Sequence, residues 1–315
     1  LNLLSSRISK SKWDELVNSK RKPLLNRGIA GLFPPGSTAK VASGAAILES
    51  GISPESTVNS TGEFTYGKVT FRDAHRGGYG ITNFYKAIAD SVNTYFYTNI
   101  LNVGLNNFLD IAKRFGIGEL TEIDIPGELL GVLPTPEWKK TKFADPRSQK
   151  WLTGDLINMS IGQGYMLMTP IQVVMMYQAI ANNGDMLKPS FVEYFESQDG
   201  IREYKETEKL RNLGIKQSTI NAIKKGLRQT VTNGTAKNLL KLNVQVSAKT
   251  GTAQNSKGLD HSWMAGYFPS ENPQIAFVAL VENGGYGSVE AGNRVYDFIQ
   301  KYYSKSEDKE VLNEK

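Results

Sequence analysis

The sequence contains no cysteine, only two histidines and no long uninterrupted apolar run. The absence of cysteine excludes disulfide bonds, thiol catalysis and cysteine-ligated metal sites. A membrane-spanning helix needs about 20 consecutive, mostly apolar residues, and no such run occurs. The first residue is Leu1 and no signal peptide is visible, so we expect these 315 residues to be part of a longer chain.

The charge distribution excludes a further class of function. The 37 lysines and arginines exceed the 31 acidic residues and give a net charge of +6. They are dispersed and do not form a basic stripe with aromatic residues, so we expect no nucleic-acid partner. His75 lies beside Asp73 without further ligands at metal spacing, so we expect no metal and no cofactor. The 40% hydrophobic composition suits one large domain or two lobes that share a site.

The most informative stretch is Pro34–Lys40 and the apolar run that follows it to Leu48. Two prolines and a glycine end the preceding segment, and the run predicts a buried helix that ends at Gly51. Ser37 and Lys40 are three residues apart and therefore lie on one face of its first turn. Two interpretations fit this spacing. Either Ser37 caps the helix and Lys40 reaches water, or the pair is a nucleophile and its base.

The remaining elements are predicted from hydrophobic periodicity and turn residues. Short connections between three strands indicate an antiparallel sheet with one helix lying on it. We predict a loop-rich stretch at 52–80, irregular segments at 116–136 and 154–164, a hairpin at 191–204, strands at 244–252, 261–268 and 274–281, and helices at 82–90, 93–104, 106–116, 170–184, 218–232 and 289–303.

Two further motifs accompany the serine–lysine pair. Ser91-x-Asn93 lies between two predicted helices, where both residue types are also ordinary caps. Lys249-Thr250-Gly251 lies on a predicted strand and, taken alone, is also compatible with a solvent-facing edge. The three motifs in this order are found in active-site serine penicillin-binding proteins and serine β-lactamases.

The resemblance extends over nearly the whole chain. Residues 21–40 are similar to the approach to the nucleophile in class B penicillin-binding proteins. Residues 93–97, 158–164 together with Thr169-Pro170, 249–254 and 281–285 resemble the elongation type of that family, the penicillin-binding protein 2 group. That family has a membrane anchor, a pedestal and usually two sheet strands ahead of the nucleophile helix, and this sequence starts after them. The middle motif of this sequence has Asn93 where some relatives have aspartate.

The resemblance implies a role for each motif residue. The catalytic residues are Ser37 as nucleophile, Lys40 as base and Ser91 as a proton relay to the departing amine. Lys40 can act as a base only if burial and the charge of Lys249 lower its pKa from the usual ~10.4. The backbone N–H groups of Ser37 and Thr252 are the implied oxyanion hole. The implied substrate-binding residues are Asn93, Lys249, Thr250, Gly251 and Thr252.

The implied fold class is α+β, the penicillin-binding transpeptidase fold. It has an antiparallel sheet flanked by helices, and we expect its N-terminal sheet strands to lie outside this sequence. Residues 1–315 then form one transpeptidase domain, with a mainly helical lobe at 41–235 and an α/β lobe made of 1–40 and 236–315.

The implied function is D,D-transpeptidation, the cross-linking of peptidoglycan stem peptides through a serine acyl-enzyme that β-lactams trap. A D,D-carboxypeptidase, a β-lactamase and a non-catalytic β-lactam sensor remain alternatives on the same scaffold. The implied partners are the stem peptide, β-lactam antibiotics and elongation-machinery proteins, namely a scaffold protein and a SEDS glycosyltransferase. The implied location is the periplasmic face of the bacterial inner membrane, with the anchor outside this sequence.

Overall fold

A computed structural model describes residues 7–255 and 258–313, with side chains up to Ser304. Within these ranges no helix is long and apolar enough to cross a membrane. The helices are α1 (Lys10–Asn18), α2 (Arg27–Ala30), α3 (Lys40–Glu49), α4 (Phe84–Ala89), α5 (Asn93–Val103), α6 (Leu105–Arg114), α7 (Pro136–Lys142), α8 (Pro146–Gln149), α9 (Thr153–Met159), α10 (Pro170–Ala181), α11 (Gln217–Thr232) and α12 (Glu290–Asn313). The strands are β1 (Val58–Ser60), β2 (Glu63–Tyr66), β3 (Val69–Arg72), β4 (Gly80–Thr82), β5 (Asp185–Leu187), β6 (Tyr194–Glu196), β7 (Arg202–Tyr204), β8 (Lys209–Asn212), β9 (Ser247–Ala253), β10 (His261–Phe268) and β11 (Ile275–Val281).

The predicted buried helix after the two prolines is confirmed. A 3-10 turn, Gly36–Ala39, leads directly into α3, in which every residue from Lys40 to Leu48 is buried. Gly51 follows with a φ of +94°, a conformation that favours glycine. Because small residues cover all sides of α3, neighbouring helices approach it closely, and α5, α6, α10 and α11 all pack against it. Lys40 is thereby enclosed in protein at the start of the helix.

The predicted antiparallel sheet is also confirmed. Its strand order is β11-β10-β9, and β11 has no further strand partner within the described residues. Side chains alternate across the sheet. Trp263 and Ala265 of β10 therefore face a large core that includes the helices around α3, whereas Met264 and Phe268 face a second core that includes residues of α12. Because both faces are covered, all eight residues of β10 are buried.

Two predicted irregular segments contain regular structure. In the stretch 52–80, β2 pairs with β3 and β1 pairs with β4. Residues 154–164 include most of α9, so the prediction that this segment is irregular is wrong for residues 154–159. The side chain of Asp155 accepts a hydrogen bond from Leu152 N at 2.8 Å and one from Lys139 Nζ at 2.6 Å. This carboxylate stabilises the start of the helix despite the glycine at position 154.

Candidate active site

The turn that carries Ser37 lies against strand β9. A Cβ atom placed on Gly251 would lie 3.0 Å from Thr38 Cγ2 and 3.3 Å from Pro35 O. Gly36 has a φ of +54°, and a Cβ atom there would lie 2.9 Å from Thr252 O. Both glycines therefore permit the close approach of turn and strand. The turn thus occupies the space that a side chain at position 251 would fill. The sequence motifs do not reveal this contact.

Lys40 connects the first motif to the second. Its Nζ donates hydrogen bonds to Ser91 O at 2.8 Å, Ser91 Oγ at 3.2 Å and Asn93 Oδ1 at 2.6 Å. The same atom lies 5.0 Å from the centre of the Phe96 ring. Lys40 is 0% exposed, so the interpretation that it reaches water is wrong. Three acceptors match the three donors of a lysine ammonium group.

Burial lowers the pKa of Lys40 well below its usual value, and the charge of Lys249 lowers it further, whereas the carboxylate of Asp73 opposes both effects. A neutral amine is therefore accessible at lower pH than for a free lysine, as a general base requires.

Within the described residues, no hydrogen bond joins the Ser37 hydroxyl to Lys40 Nζ, because the ammonium group is directed at the second motif. The Ser37 side chain itself is half-buried.

Lys249 supplies a second buried amine, on β9. It is 0% exposed, and its Nζ donates to Thr250 O at 3.1 Å. Burial lowers the pKa of Lys249 to about 7, an effect that the nearby Asp90 opposes. The hydroxyl of Thr250 lies 2.6 Å from that of Thr235, and the hydroxyl of Thr252 accepts from Gly287 N at 3.2 Å. The hydroxyl groups of Thr250 and Thr252 are therefore held by residues outside the strand.

The turn that follows α9 contacts the turn that carries Ser37 from a third direction. Gly36 N donates to Gly162 O at 2.9 Å, and a Cβ atom on Gly162 would lie 2.2 Å from Gly36 O. Gln163 Nε2 donates to Thr252 O at 3.5 Å. The buried Tyr177 hydroxyl donates to Thr38 O at 2.8 Å. The glycine-rich segment at 158–164 thus packs beside the site.

Asp73 is a further candidate, and the sequence motifs do not reveal it. Its carboxylate is buried and accepts hydrogen bonds from the first residues of α5, which begins two residues after Ser91. The available signal is weak: α5 begins after Val92, a residue that supplies no capping side chain. His75, the neighbour of Asp73 in sequence, instead places Nδ1 3.0 Å from Gly78 O, and lies outside the site.

A family model described as the penicillin binding protein transpeptidase domain matches residues 7–300. The fold and the meeting of the three motifs agree with this match, and the chain belongs to that transpeptidase family. The predicted resemblance to the penicillin-binding protein 2 group is confirmed by the relatives that follow.

The chain is 33% identical to the peptidoglycan D,D-transpeptidase MrdA of Haemophilus influenzae, over 92% of this chain and 47% of that protein. It is similar to the crystal structure of Pseudomonas aeruginosa PBP2 in complex with WCK 5153, with a TM-score of 0.84 and 33% identity over 94% of this chain and 64% of that one. It is also similar to PBP2 in the complex with MreC from Helicobacter pylori, with a TM-score of 0.83 and 32% identity over 94% of this chain and 54% of that one. The chain spans about half the length of the curated relatives it matches.

Proposed function

We propose that this chain is the catalytic part of a serine-type D,D-transpeptidase that cross-links peptidoglycan stem peptides. The observation that supports it best is the position of Lys40, a fully buried amine one turn from Ser37 and within 3.2 Å of the Ser91 hydroxyl. An alcohol is a weak nucleophile unless a base takes its proton, and a buried lysine with a lowered pKa can do so.

The first half-reaction is acylation of Ser37. Loss of one proton leaves Lys40 with two N–H donors and one lone pair, which can accept the Ser37 proton. The Ser37 oxygen attacks the carbonyl carbon of the penultimate D-alanine and forms a tetrahedral oxyanion, and the backbone N–H groups of Ser37 and Thr252 stabilise it. The carbon–nitrogen bond then breaks. Ser91 passes the proton from Lys40 to the leaving amine, and D-alanine departs.

The second half-reaction transfers the acyl group to an amine of a neighbouring stem peptide. The acceptor nitrogen attacks the ester carbon and loses a proton to Lys40, and the ester bond to Ser37 breaks. The regenerated serine regains its proton from the same amine. Lys249, when protonated, binds the terminal carboxylate of the donor together with the hydroxyl groups of Thr250 and Thr252, and the Asn93 side chain binds a peptide amide.

The partners follow from the same proposal. β-Lactams resemble the donor and acylate Ser37 in its place. The relative from Helicobacter pylori is described in complex with MreC, which supports a scaffold protein of the elongation machinery as a partner. The family resemblance further implies a SEDS glycosyltransferase as a partner and the periplasmic face of the bacterial inner membrane as the location.

Mass spectrometry after incubation with penicillin tests the nucleophile. We expect the intact protein to gain the mass of the drug, and Ser37→Ala to gain nothing. Ser43→Ala is the matched control, because Ser43 lies on α3 with a buried hydroxyl that has no hydrogen-bond partner among the described residues. Labelling of Ser37→Ala would show that the nucleophile is a different residue.

The fate of the adduct separates the transpeptidase from the alternatives. After free drug is removed, we expect the acyl-enzyme to persist for many minutes, whereas release within seconds indicates a β-lactamase. A donor stem pentapeptide supplied with an amine acceptor should then give a cross-linked product. Hydrolysis alone indicates a D,D-carboxypeptidase, and stable acylation with no reaction of the peptide indicates a sensor.

A further inference from the structure

We propose that Asp73 is a positioning residue for the catalytic amine: its carboxylate fixes the start of α5, so that Ser91 and Asn93 hold Lys40 beside the nucleophile turn. This inference rests on the proposed function, because it concerns the same acylation step. It assigns a role to a residue that lies in none of the three motifs.

The carboxylate of Asp73 is 5% exposed and accepts four hydrogen bonds. Oδ1 accepts from Asn93 N at 2.5 Å and from Thr94 N at 3.1 Å. Oδ2 accepts from Thr94 Oγ1 at 2.8 Å and from Ser60 Oγ at 2.9 Å. Asp73 N donates to Gly62 O at 2.9 Å, so the main chain of this residue is fixed as well. Three of the four bonds go to the first two residues of α5.

These bonds supply what the start of α5 lacks. The first N–H groups of a helix have no partner within the helix, and Val92 at the cap position provides no side-chain acceptor. An anionic acceptor is favourable there because the helix N-terminus carries partial positive charge. Asp73 provides this acceptor from a different part of the chain, directly after β3.

The same contact stabilises an unfavourable backbone at the motif. Ser91 has a φ of +61°, in the left-handed region that non-glycine residues rarely adopt. Such a conformation persists only where the surrounding structure fixes it. Val92 N donates to Ala87 O at 3.0 Å on one side, and Asp73 fixes Asn93 on the other. The Ser91 carbonyl and hydroxyl groups are thereby directed at Lys40.

The residue before Asp73 orients the Asn93 side chain. Asn93 Nδ2 donates to Arg72 O at 3.0 Å, and this bond places Oδ1 2.6 Å from Lys40 Nζ. The end of β3 therefore determines both the main-chain position of Asn93 and the direction of its amide. Two consecutive residues thus connect a peripheral hairpin to the catalytic amine.

Asp73 also acts on Lys40 through its charge. It raises the pKa of Lys40 against the lowering effects of burial and of Lys249. Asp90 raises the pKa of Lys249 and is itself close to Lys86 and Lys237. Removal of the Asp73 charge should therefore lower the pKa of Lys40 further. A residue that only stabilised the fold would leave this pKa unchanged, so the pH profile distinguishes the two roles.

Acylation by a fluorescent penicillin, measured from pH 4 to 9, tests the inference in Asp73→Asn. We expect the maximal acylation rate to fall at least tenfold with little change in the initial binding constant. We also expect the acid limb of the pH–rate profile, which reflects the pKa of Lys40, to move to lower pH. Glu49→Gln is the matched control. Glu49 accepts hydrogen bonds from Lys216 N and Thr219 Oγ1 at the start of α11, so it caps a helix from outside in the same way, but at the opposite end of α3. This control should leave the rate and the limb unchanged.

Two variants complete the test. Ser60→Ala removes one bond to the carboxylate but retains its charge and its bonds to α5, so near-normal acylation is expected. If Asp73→Asn does not fold, Thr94→Val is the substitute. It removes the hydrogen bond from Thr94 Oγ1 to Asp73 Oδ2 but keeps the negative charge of Asp73. It should therefore lower the acylation rate without moving the acid limb of the pH–rate profile. An unchanged rate and limb in Asp73→Asn, an unchanged rate in the substitute Thr94→Val, or an equal loss in Glu49→Gln would overturn the inference.

A direct titration keeps this inference separable from the proposed function. If the unmodified protein is not acylated at all, the proposed function fails. The effect of Asp73 is then measured on the ¹³Cε resonance of Lys40, assigned with Lys40→Met. We expect a lower pKa for Lys40 in Asp73→Asn than in the unmodified protein. The same value in both proteins would overturn the role of Asp73.

Discussion

Two lysines are buried at this site, and the proposed reaction needs them in opposite charge states. Lys40 has to lose its proton to act as a base, whereas Lys249 has to keep its proton to bind a carboxylate. Burial lowers the pKa of both, and the charge of Lys249 lowers the pKa of Lys40 further. Asp90 partly offsets the effect of burial on Lys249. The environment thus assigns the two roles to two identical side chains.

This assignment predicts a bell-shaped pH profile for the second-order rate constant of acylation. The rate rises as Lys40 loses its proton and falls as Lys249 loses its proton near pH 7. In Lys249→Arg the alkaline limb should disappear below pH 9, because guanidinium stays charged. Stopped-flow acylation with a fluorescent penicillin measures this, and the exposed Lys237→Arg is the control. An alkaline limb that survives in Lys249→Arg would contradict the assignment.

At the scale of elements, the turn Gly36–Ala39, which carries Ser37, is held by structures far apart in sequence. Strand β9 contacts it through Gly251, the turn after α9 contacts it through Gly162, and α10 contacts it through Tyr177. Each contact involves the backbone of the turn, so the position of Ser37 depends on three independent packing contacts. Displacement of reacting groups by about 1 Å can lower an enzymatic rate about 10²-fold.

Gly162→Ala tests this dependence. The new methyl group would lie 2.2 Å from Gly36 O, so the turn has to shift. We expect acylation to slow by at least tenfold and stability to fall by ~1–3 kcal/mol. Gly127→Ala is the matched control, since Gly127 also has a left-handed φ, of +92°, but a Cβ atom there meets nothing within 4 Å. Thermal melts and acylation rates of both variants decide the matter, and equal rate losses would show that the contact is unimportant.

At the scale of the whole molecule, buried charge lies where the helices meet the sheet. Lys40 and Lys249 are both fully buried between these two layers, and neither forms an ion pair among the described residues. A charged amine loses its hydration there, so the folded state is destabilised by groups that the proposed reaction needs.

Lys249→Met should therefore stabilise the protein while it weakens carboxylate binding. The folded pKa of about 7 lies below the unfolded value, so the penalty is full below pH 7 and disappears as pH rises towards about 10.5. We expect a stability gain on the order of a few kcal/mol at pH 6 and less than about 1 kcal/mol at pH 10. Denaturant melts at both values measure it, with the exposed Lys237→Met as control. A gain that does not depend on pH would be inconsistent with this explanation.

The sequence predicts those parts of the fold that depend on local signals. The helix after Ser37 and the strands β9, β10 and β11 follow from apolar patterns and turn residues, and the motif set identifies the site. The parts that it does not predict depend on contacts distant in sequence. Asp73 lies 20 residues before Asn93, and α9 is stabilised by the Lys139–Asp155 contact. Such contacts leave no periodicity in the sequence.

Several bonds that arrange this site end on main-chain carbonyl groups. Lys40 donates to Ser91 O, Asn93 to Arg72 O and Tyr177 to Thr38 O. No codon change at the accepting position can delete a carbonyl group, whereas a change at the donor removes the bond. Genetic variation therefore affects the two partners differently: a substitution of Arg72, whose side chain is exposed, keeps the bond from Asn93 Nδ2, whereas a substitution of Asn93 that removes its amide N–H deletes that bond. Under the proposed function, selection by a β-lactam would act on a site in which the acceptor of each such contact cannot be removed by substitution.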